Sequence, residues 1–236
     1  GGRLIASHIQ IPQGGPVADY VHFHKVEFQI IYCYRGWVRV VYEDQGPPFV
    51  MKPGDCVLQP PQIRHRVLES APGLEVVEIA CPAEHETLTA GEFVLPTGVL
   101  DTKRLFSSQR FVWHKAADAI WDSSWLKGFE CCDTGVSKGS AKFARVHVLR
   151  RIKRSEAFLQ SHAGELSFFF LLEGGMTLHA AGQRDVRLGE ADAFVIPAGL
   201  NFAFFDPTDE LELLEVTLPA PAKFKRHSPM PLPTSR

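Results

Sequence analysis

The chain has 236 residues and a formal net charge of −2, with 45% hydrophobic and 22% charged residues. That length holds one large or two small domains, and the composition is ordinary for a soluble globular protein. With no basic block and no apolar run long enough for a bilayer, neither nucleic acid nor a membrane is expected as a partner.

Short runs rich in Val, Ile, Phe and Tyr alternate with Gly, Pro and Asp clusters along the chain. They predict strands over residues 4–11, 20–24, 28–34, 37–42, 56–59, 64–69 and 74–80. The breaks at Arg35-Gly36, Pro53-Gly54-Asp55 and Ala71-Pro72-Gly73 have turn chemistry. No convincing amphipathic helix intervenes, so the fold class is all-β. Beyond residue 82 the pattern returns. Leu74-Glu75-Val76-Val77-Glu78-Ile79 with Pro82 recurs as Leu211-Glu212-Leu213-Leu214-Glu215-Val216 with Pro219, a shift of 137 residues. The same shift carries Asp55 to Asp192 and Pro60 to Pro197, and a shift of 138 carries Gly36 to Gly174. The chain is a tandem duplication, with domains expected over residues 1–100 and 101–236.

Residues 105–139, with Trp113, Trp121, Trp125 and Phe129, form a lead-in to the second copy whose apolar surface would cover an open end of it. The first copy begins almost at its first strand, which predicts that the natural chain continues upstream of Gly1. Residues 219–236 are proline-rich and read as an extended tail laid over a neighbour. That tail and the exposed strand edges are consistent with a homodimer. Five cysteines, an odd number without a metal-binding Cys pattern, point to a reducing, cytoplasmic setting.

Chemistry-bearing residues concentrate in the first copy. His22 and His24 stand two apart, so on a strand both imidazoles face the same way. Gln29 follows five residues later, and a block from Gly54 through Pro60 ends on His65. Three imidazoles and an amide oxygen from separate strands make a site for one divalent transition metal, with Fe, Mn, Ni, Zn and Co all suited to such donors. Glu27 is the rival fourth ligand, since a carboxylate is the commoner donor. Among acid–base candidates, Glu69 shares strand parity with His65, and Glu78 lies on the last strand of the first copy. Glu78 has a counterpart, Glu215, in the second copy, which weighs toward a structural role. In the second copy Gln160, His162, Ser167 and Phe202 stand where His22, His24, Gln29 and His65 stand in the first. No metal is expected there. Phe168, Phe169, Phe170, Phe202, Phe204 and Phe205 suggest an aromatic-filled interior. His8, His85, His114, His147, His179 and His227 fit no motif and are expected to be structural or exposed.

These residues carry a resemblance to the cupin superfamily, whose two motifs are G(X)5HXH(X)3–4E(X)6G and G(X)5PXG(X)2H(X)3N. His22, His24, Gln29 and Gly36 fall on the first, with Gln29 in place of the glutamate. Gly54, Pro60, Gln62 and His65 fall on the second, with Gln62 in place of a glycine and Glu69 in place of the asparagine. The upstream glycine of the first motif is missing, because Pro16 occupies its place. The resemblance covers residues 4–82 and, with the duplication, implies two tandem cupin-type double-stranded β-helix (jelly-roll) barrels with metal in the first only. Cupins include dioxygenases, isomerases, lyases, decarboxylases and metal-free binding proteins, so the resemblance fixes no reaction. The expected function is a metal-dependent enzyme of dioxygenase type, an oxidoreductase acting on a small anionic or metal-chelating substrate. The alternatives are a redox-neutral lyase, isomerase or decarboxylase with the metal as Lewis acid, and a non-catalytic binding or sensing protein. The neutral donor set favours Lewis acidity. Cupin lyases of the hydroxynitrile type are similar in their three histidines and glutamine, at a spacing one residue shorter.

Overall fold

β-Branched and aromatic residues, alternating inward and outward, pair as strands throughout, and Gly, Pro and Asp turn the chain between them. A computed structural model describes residues 2–229. It divides into two units, Gly1–Ala119 with Lys138–Ala141, and Ile120–Ser137 with Lys142–Arg236.

The first unit contains β1 (Ile5–Ile11), β2 (Gly15–Pro16), β3 (His22–His24), β4 (Phe28–Arg35), β5 (Val38–Tyr42), β6 (Phe49–Met51), β7 (Cys56–Leu58), β8 (His65–Ser70), β9 (Leu74–Cys81), β10 (Thr87–Thr89) and β11 (Val112–His114). One sheet runs β1-β9-β4-β7-β11. The other runs β10-β3-β8-β5-β6, with β2 beside β8. Between the sheets lies a core of Cys33, Val38, Val40, Tyr42, Met51, Val57, Ile63, Leu74, Val76 and Phe106. The turn at Gly54 holds the long connection against the barrel. Its φ is +88°, and a Cβ there would come within 2.7 Å of Ala116 Cβ. The adjoining Asp55 carboxylate accepts from the Lys52 and Ala116 amides.

The second unit contains β12 (Trp121–Ser123), β13 (Phe129–Asp133), β14 (Arg145–Arg151), β15 (Phe158–His162), β16 (Leu166–Glu173), β17 (Met176–Ala180), β18 (Val186–Leu188), β19 (Ala193–Pro197), β20 (Phe202–Phe205), β21 (Glu212–Leu218) and β22 (Phe224–Pro229). Its sheets run β12-β13-β14-β21-β16-β19 and β18-β17-β20-β15-β22. The duplication holds at the level of register. Gln29 pairs with Ala80 and Ile31 with Glu78 in the first unit, and Ser167 pairs with Thr217 and Phe169 with Glu215 in the second. The protein is two tandem barrels of this double-stranded β-helix type, with short helical turns only among the described residues. No helix among them is long and apolar enough to cross a membrane.

Three expectations change. The boundary lies later than residue 100. Trp113, on β11, stacks on Phe49 at 3.9 Å and joins the first core with Phe106 and Phe111, while Trp125 and Phe129 join the second. The aromatic lead-in is therefore divided between the units, a consequence of β11 pairing with β7. Within the proline-rich stretch Phe224–Pro229 is a strand, β22, which pairs with β15 as β10 pairs with β3. The remainder of that tail, residues 230–236, lies outside the described residues. All six phenylalanines expected in the interior of the second barrel are buried, but on two faces of their strands. Phe169, Phe202 and Phe204 pack in its core with Leu149, Leu171 and Leu213, whereas strand alternation turns Phe168, Phe170 and Phe205 to the other face.

Phe169 has no exposed surface and packs against Phe194 at 5.0 Å. Phe169→Ala is expected to lower the stability of the second unit by about 3–5 kcal/mol. Denaturant unfolding monitored by tryptophan fluorescence checks this.

Candidate metal centre

Strand β3 brings His22 and His24 to the interior by alternation, and turns Phe23 outward under the Arg64 guanidinium. His22 lies directly opposite His65 across the β3–β8 pair, and Tyr42 lies opposite His65 on its other side. The three imidazole centroids are 4.3–5.2 Å apart, and one ring nitrogen of each lies within 4.8 Å of the other two.

Each imidazole is oriented through Nδ1. His22 donates from Nδ1 to the Tyr20 carbonyl at 2.9 Å, and His65 to the Ile63 carbonyl at 3.1 Å. His24 Nδ1 bonds the Thr87 hydroxyl at 2.8 Å, from the opposing residue of β10. A carbonyl oxygen only accepts, so the His22 and His65 tautomers are fixed, with the Nε2 lone pair free. This is the outer-shell arrangement that metal-ligating histidines use. Burial first, and then the neighbouring imidazoles, hold His24 down to about 4 and His65 to about 3, so both are neutral ligands at pH 7. Tyr42 stacks on His65 at 5.4 Å and on Phe111 at 4.6 Å, which fixes the plane of the His65 ring.

The fourth sequence candidate, Gln29, is 1% exposed on β4, on the same inward face as Ile31 and Cys33. Its Nε2 donates to Glu78 Oε1 at 3.1 Å, which directs the amide nitrogen to the carboxylate and leaves the amide oxygen as the end available to a cation. The donor set fits a first-row divalent metal: imidazole nitrogens with settled tautomers and one oriented amide. Glu78 thus stands beside the site, against its neighbour Gln29 on β9's partner strand. Its negative charge reaches Tyr42, whose phenol burial pushes far above its ordinary range.

The other two acids are turned away. Glu27 pairs with Arg3 at 2.8 Å, with more than half of its side chain exposed. Glu69 pairs with Arg39 at 3.2 Å on the outer face. Parity counting fails at Glu69 because β8 carries a bulge: Val40 faces Val67 but Arg39 faces Glu69, so Leu68 is the extra residue and everything beyond it reverses. Sequence reasoning also missed three residues. Tyr42 and Thr87 are found only through cross-strand pairing. His85 approaches His24 edge-on at 5.6 Å while its Nδ1 donates to the Pro82 carbonyl. No sequence motif marks it.

Residues 7–81 match the cupin domain family. Solved structures sharing the fold include an S161A mutant of oxalate decarboxylase from Bacillus subtilis (TM-score 0.69, 13% identity, 95% of this chain and 71% of that one). Another is salicylate 1,2-dioxygenase from Pseudaminobacter salicylatoxidans (TM-score 0.68, 14% identity, 95% and 75%). A further structure of the B. subtilis decarboxylase is described as having Mn(II) centres (TM-score 0.67, 14% identity, 95% and 71%). At these identities the likeness is one of fold. Among curated proteins, no sequence matches.

Removing the Glu78 carboxylate frees the Gln29 amide to rotate, so Glu78→Leu is expected to weaken metal binding by about 10–100-fold. Titration of chelator-treated protein with Mn or Zn measures it. The buried imidazoles also predict a pH response of the metal-free protein. Their folded pKa values lie below the unfolded value of 6.5, so the unfolded state takes up the protons. Stability is intact above about 6.5 and is lost as pH falls toward 4, and His65→Asn flattens that slope in pH-dependent denaturant melts.

Proposed function

We propose that the protein is a metal-dependent enzyme of dioxygenase type acting on a small organic anion or chelator, with His22, His24, His65 and Gln29 holding one divalent metal per chain. The observation that carries the reading is the three inward imidazoles, each oriented through Nδ1 by a carbonyl or hydroxyl. A bound metal would supply Lewis acidity and a template for substrate and oxygen. The chain's own residues orient the ligands and keep water from the inner side, where Tyr42, Phe111 and Phe49 pack. Glu78 supplies the one carboxylate beside the amide, so it replaces Glu69 as the candidate for holding a proton near the substrate.

The redox-neutral reading, in which the metal acts as a Lewis acid in a lyase or decarboxylase, is favoured by the neutral ligand set. A neutral set leaves the dication charge for the substrate anion. Glu78 tempers this, since a carboxylate hydrogen-bonded to a ligand returns part of that charge. A small-molecule substrate with two oxygen donors suits both readings. A homodimer and a cytoplasmic location complete the proposal.

Metal analysis of protein purified without added metal is expected to give about one equivalent per chain, lost in His65→Ala. Two equivalents would defeat the one-site assignment. Turnover of a candidate substrate that persists undiminished without oxygen would remove the dioxygenase reading and leave the redox-neutral one.

A further inference from the structure

Among the described residues the second barrel has no three-residue cluster like that of His22, His24 and His65, yet its interior is not simply apolar. Buried side-chain polar atoms without a hydrogen bond gather, among the described residues, on three of its adjacent strands, β14, β16 and β21. They are Arg145 Nε and Nη2, His147 Nδ1, Ser167 Oγ and Thr217 Oγ1, beside the Glu215 carboxyl, which Trp125 approaches as a hydrogen-bond donor. Ser167, Thr217 and Glu215 have no exposed surface at all. Buried polar atoms are almost always satisfied, so this group on adjacent strands calls for a partner.

Register explains the convergence. Ser167, Thr217 and Arg145 form one row across β16, β21 and β14, and Phe169, Glu215 and His147 form the next. All share the inward face of Leu149, Leu171 and Leu213. In the first barrel the same positions hold Gln29, Ala80 and Ile5, then Ile31, Glu78 and Ser7. The second copy has therefore exchanged an isoleucine and a serine for an arginine and a histidine, in the rows where the first has Gln29 and Glu78. Arg145 Nη2 and His147 Nδ1 each stand 3.6 Å from one Glu215 oxygen, too far for a hydrogen bond. Arg145 and His147 keep 19% and 13% of their side-chain surface exposed.

The chemistry selects an anion. The Arg145 edge of Nε with Nη2, which makes no hydrogen bond, is the two-donor edge that matches a carboxylate, and the Thr217 and Ser167 hydroxyls stand in the same cross-strand row. A guanidinium at the centre repels a metal cation. Burial pushes the Glu215 carboxyl up to about 7 despite Arg145, and burial with Arg145 holds His147 down to about 4. Glu215 can therefore shed its charge when another anion arrives, and His147 is neutral.

We propose that the interior of the second barrel binds a small monocarboxylate, held on the Arg145 edge with the Ser167 and Thr217 hydroxyls and faced by Glu215. The site is separate from the metal centre and does not depend on it.

Calorimetric titration with sodium acetate at constant ionic strength tests this, using full-length protein stripped of metal by chelator so that acetate cannot ligate the first barrel. One saturable site per chain is expected, weakened about tenfold or more in Arg145→Gln. It is expected to be weakened several-fold in Thr217→Val, which serves if Arg145→Gln fails to fold by circular dichroism. Absence of a saturable site, equal competition by chloride, or acetate binding unchanged in the variants would overturn the proposal. Any of these would leave Arg145 and Glu215 as a solvated ion pair.

Discussion

The register between β4 and β9 sets what enters the first barrel. Pairing Ile31 with Glu78 places the carboxylate on the same face as Gln29, one residue pair away along the strands, where the two side chains meet in a hydrogen bond. A slip of one residue would send Glu78 outward and leave the buried amide without an acceptor, at a cost of about 1–3 kcal/mol, and would turn Val76 and Leu74 out of the core as well. The hydrophobic alternation that builds the core is therefore the same constraint that orients the fourth candidate ligand.

The sheet facing it solves a different problem. Three imidazoles in one small volume would repel one another if charged, and burial holds His24 and His65 neutral. The chain spends every Nδ1 on a backbone carbonyl or a hydroxyl, so that orientation comes from these bonds while the neutrality of His24 and His65 comes from burial. The ring of Tyr42 then restricts His65 from behind. What remains free on each ring is the nitrogen aimed at its neighbours, and a cation is the partner that satisfies all three at once.

Much of this was legible in the sequence, for physical reasons that can be named. Alternation of period two announced the strands, and the 137-residue repeat announced the second barrel. The spacing of His22, His24 and His65 was enough to bring them together. Illegible features depend on pairing between distant strands. The bulge at Leu68 reverses Glu69, and no local signal marks it. Glu78 and Glu215 look equivalent along the chain, but one meets an amide and the other an arginine and a histidine from β14. Trp113 reads as part of a lead-in to the second copy until β11 is seen to pair with β7. His147 matched no motif because its meaning comes from Glu215, 68 residues away and directly opposite it.

The two copies show how one framework carries different polar contents. Both keep an acid at the same register position on the strand that closes the barrel, half-buried as Glu78 in the first and fully buried as Glu215 in the second. An acid so placed needs a partner, since an isolated buried carboxylate is too costly to keep charged. In the first barrel the partner is a neutral amide, that of Gln29. In the second it is a guanidinium 3.6 Å away, and burial raises the carboxyl to about 7 against its pull. The identity of the residue opposite that acid on the outer strand, Ser7 in one copy and His147 in the other, together with its neighbour Ile5 or Arg145, decides between these arrangements. The second barrel keeps one buried imidazole, His162, where the first has His24, while its opposite sheet carries Arg145.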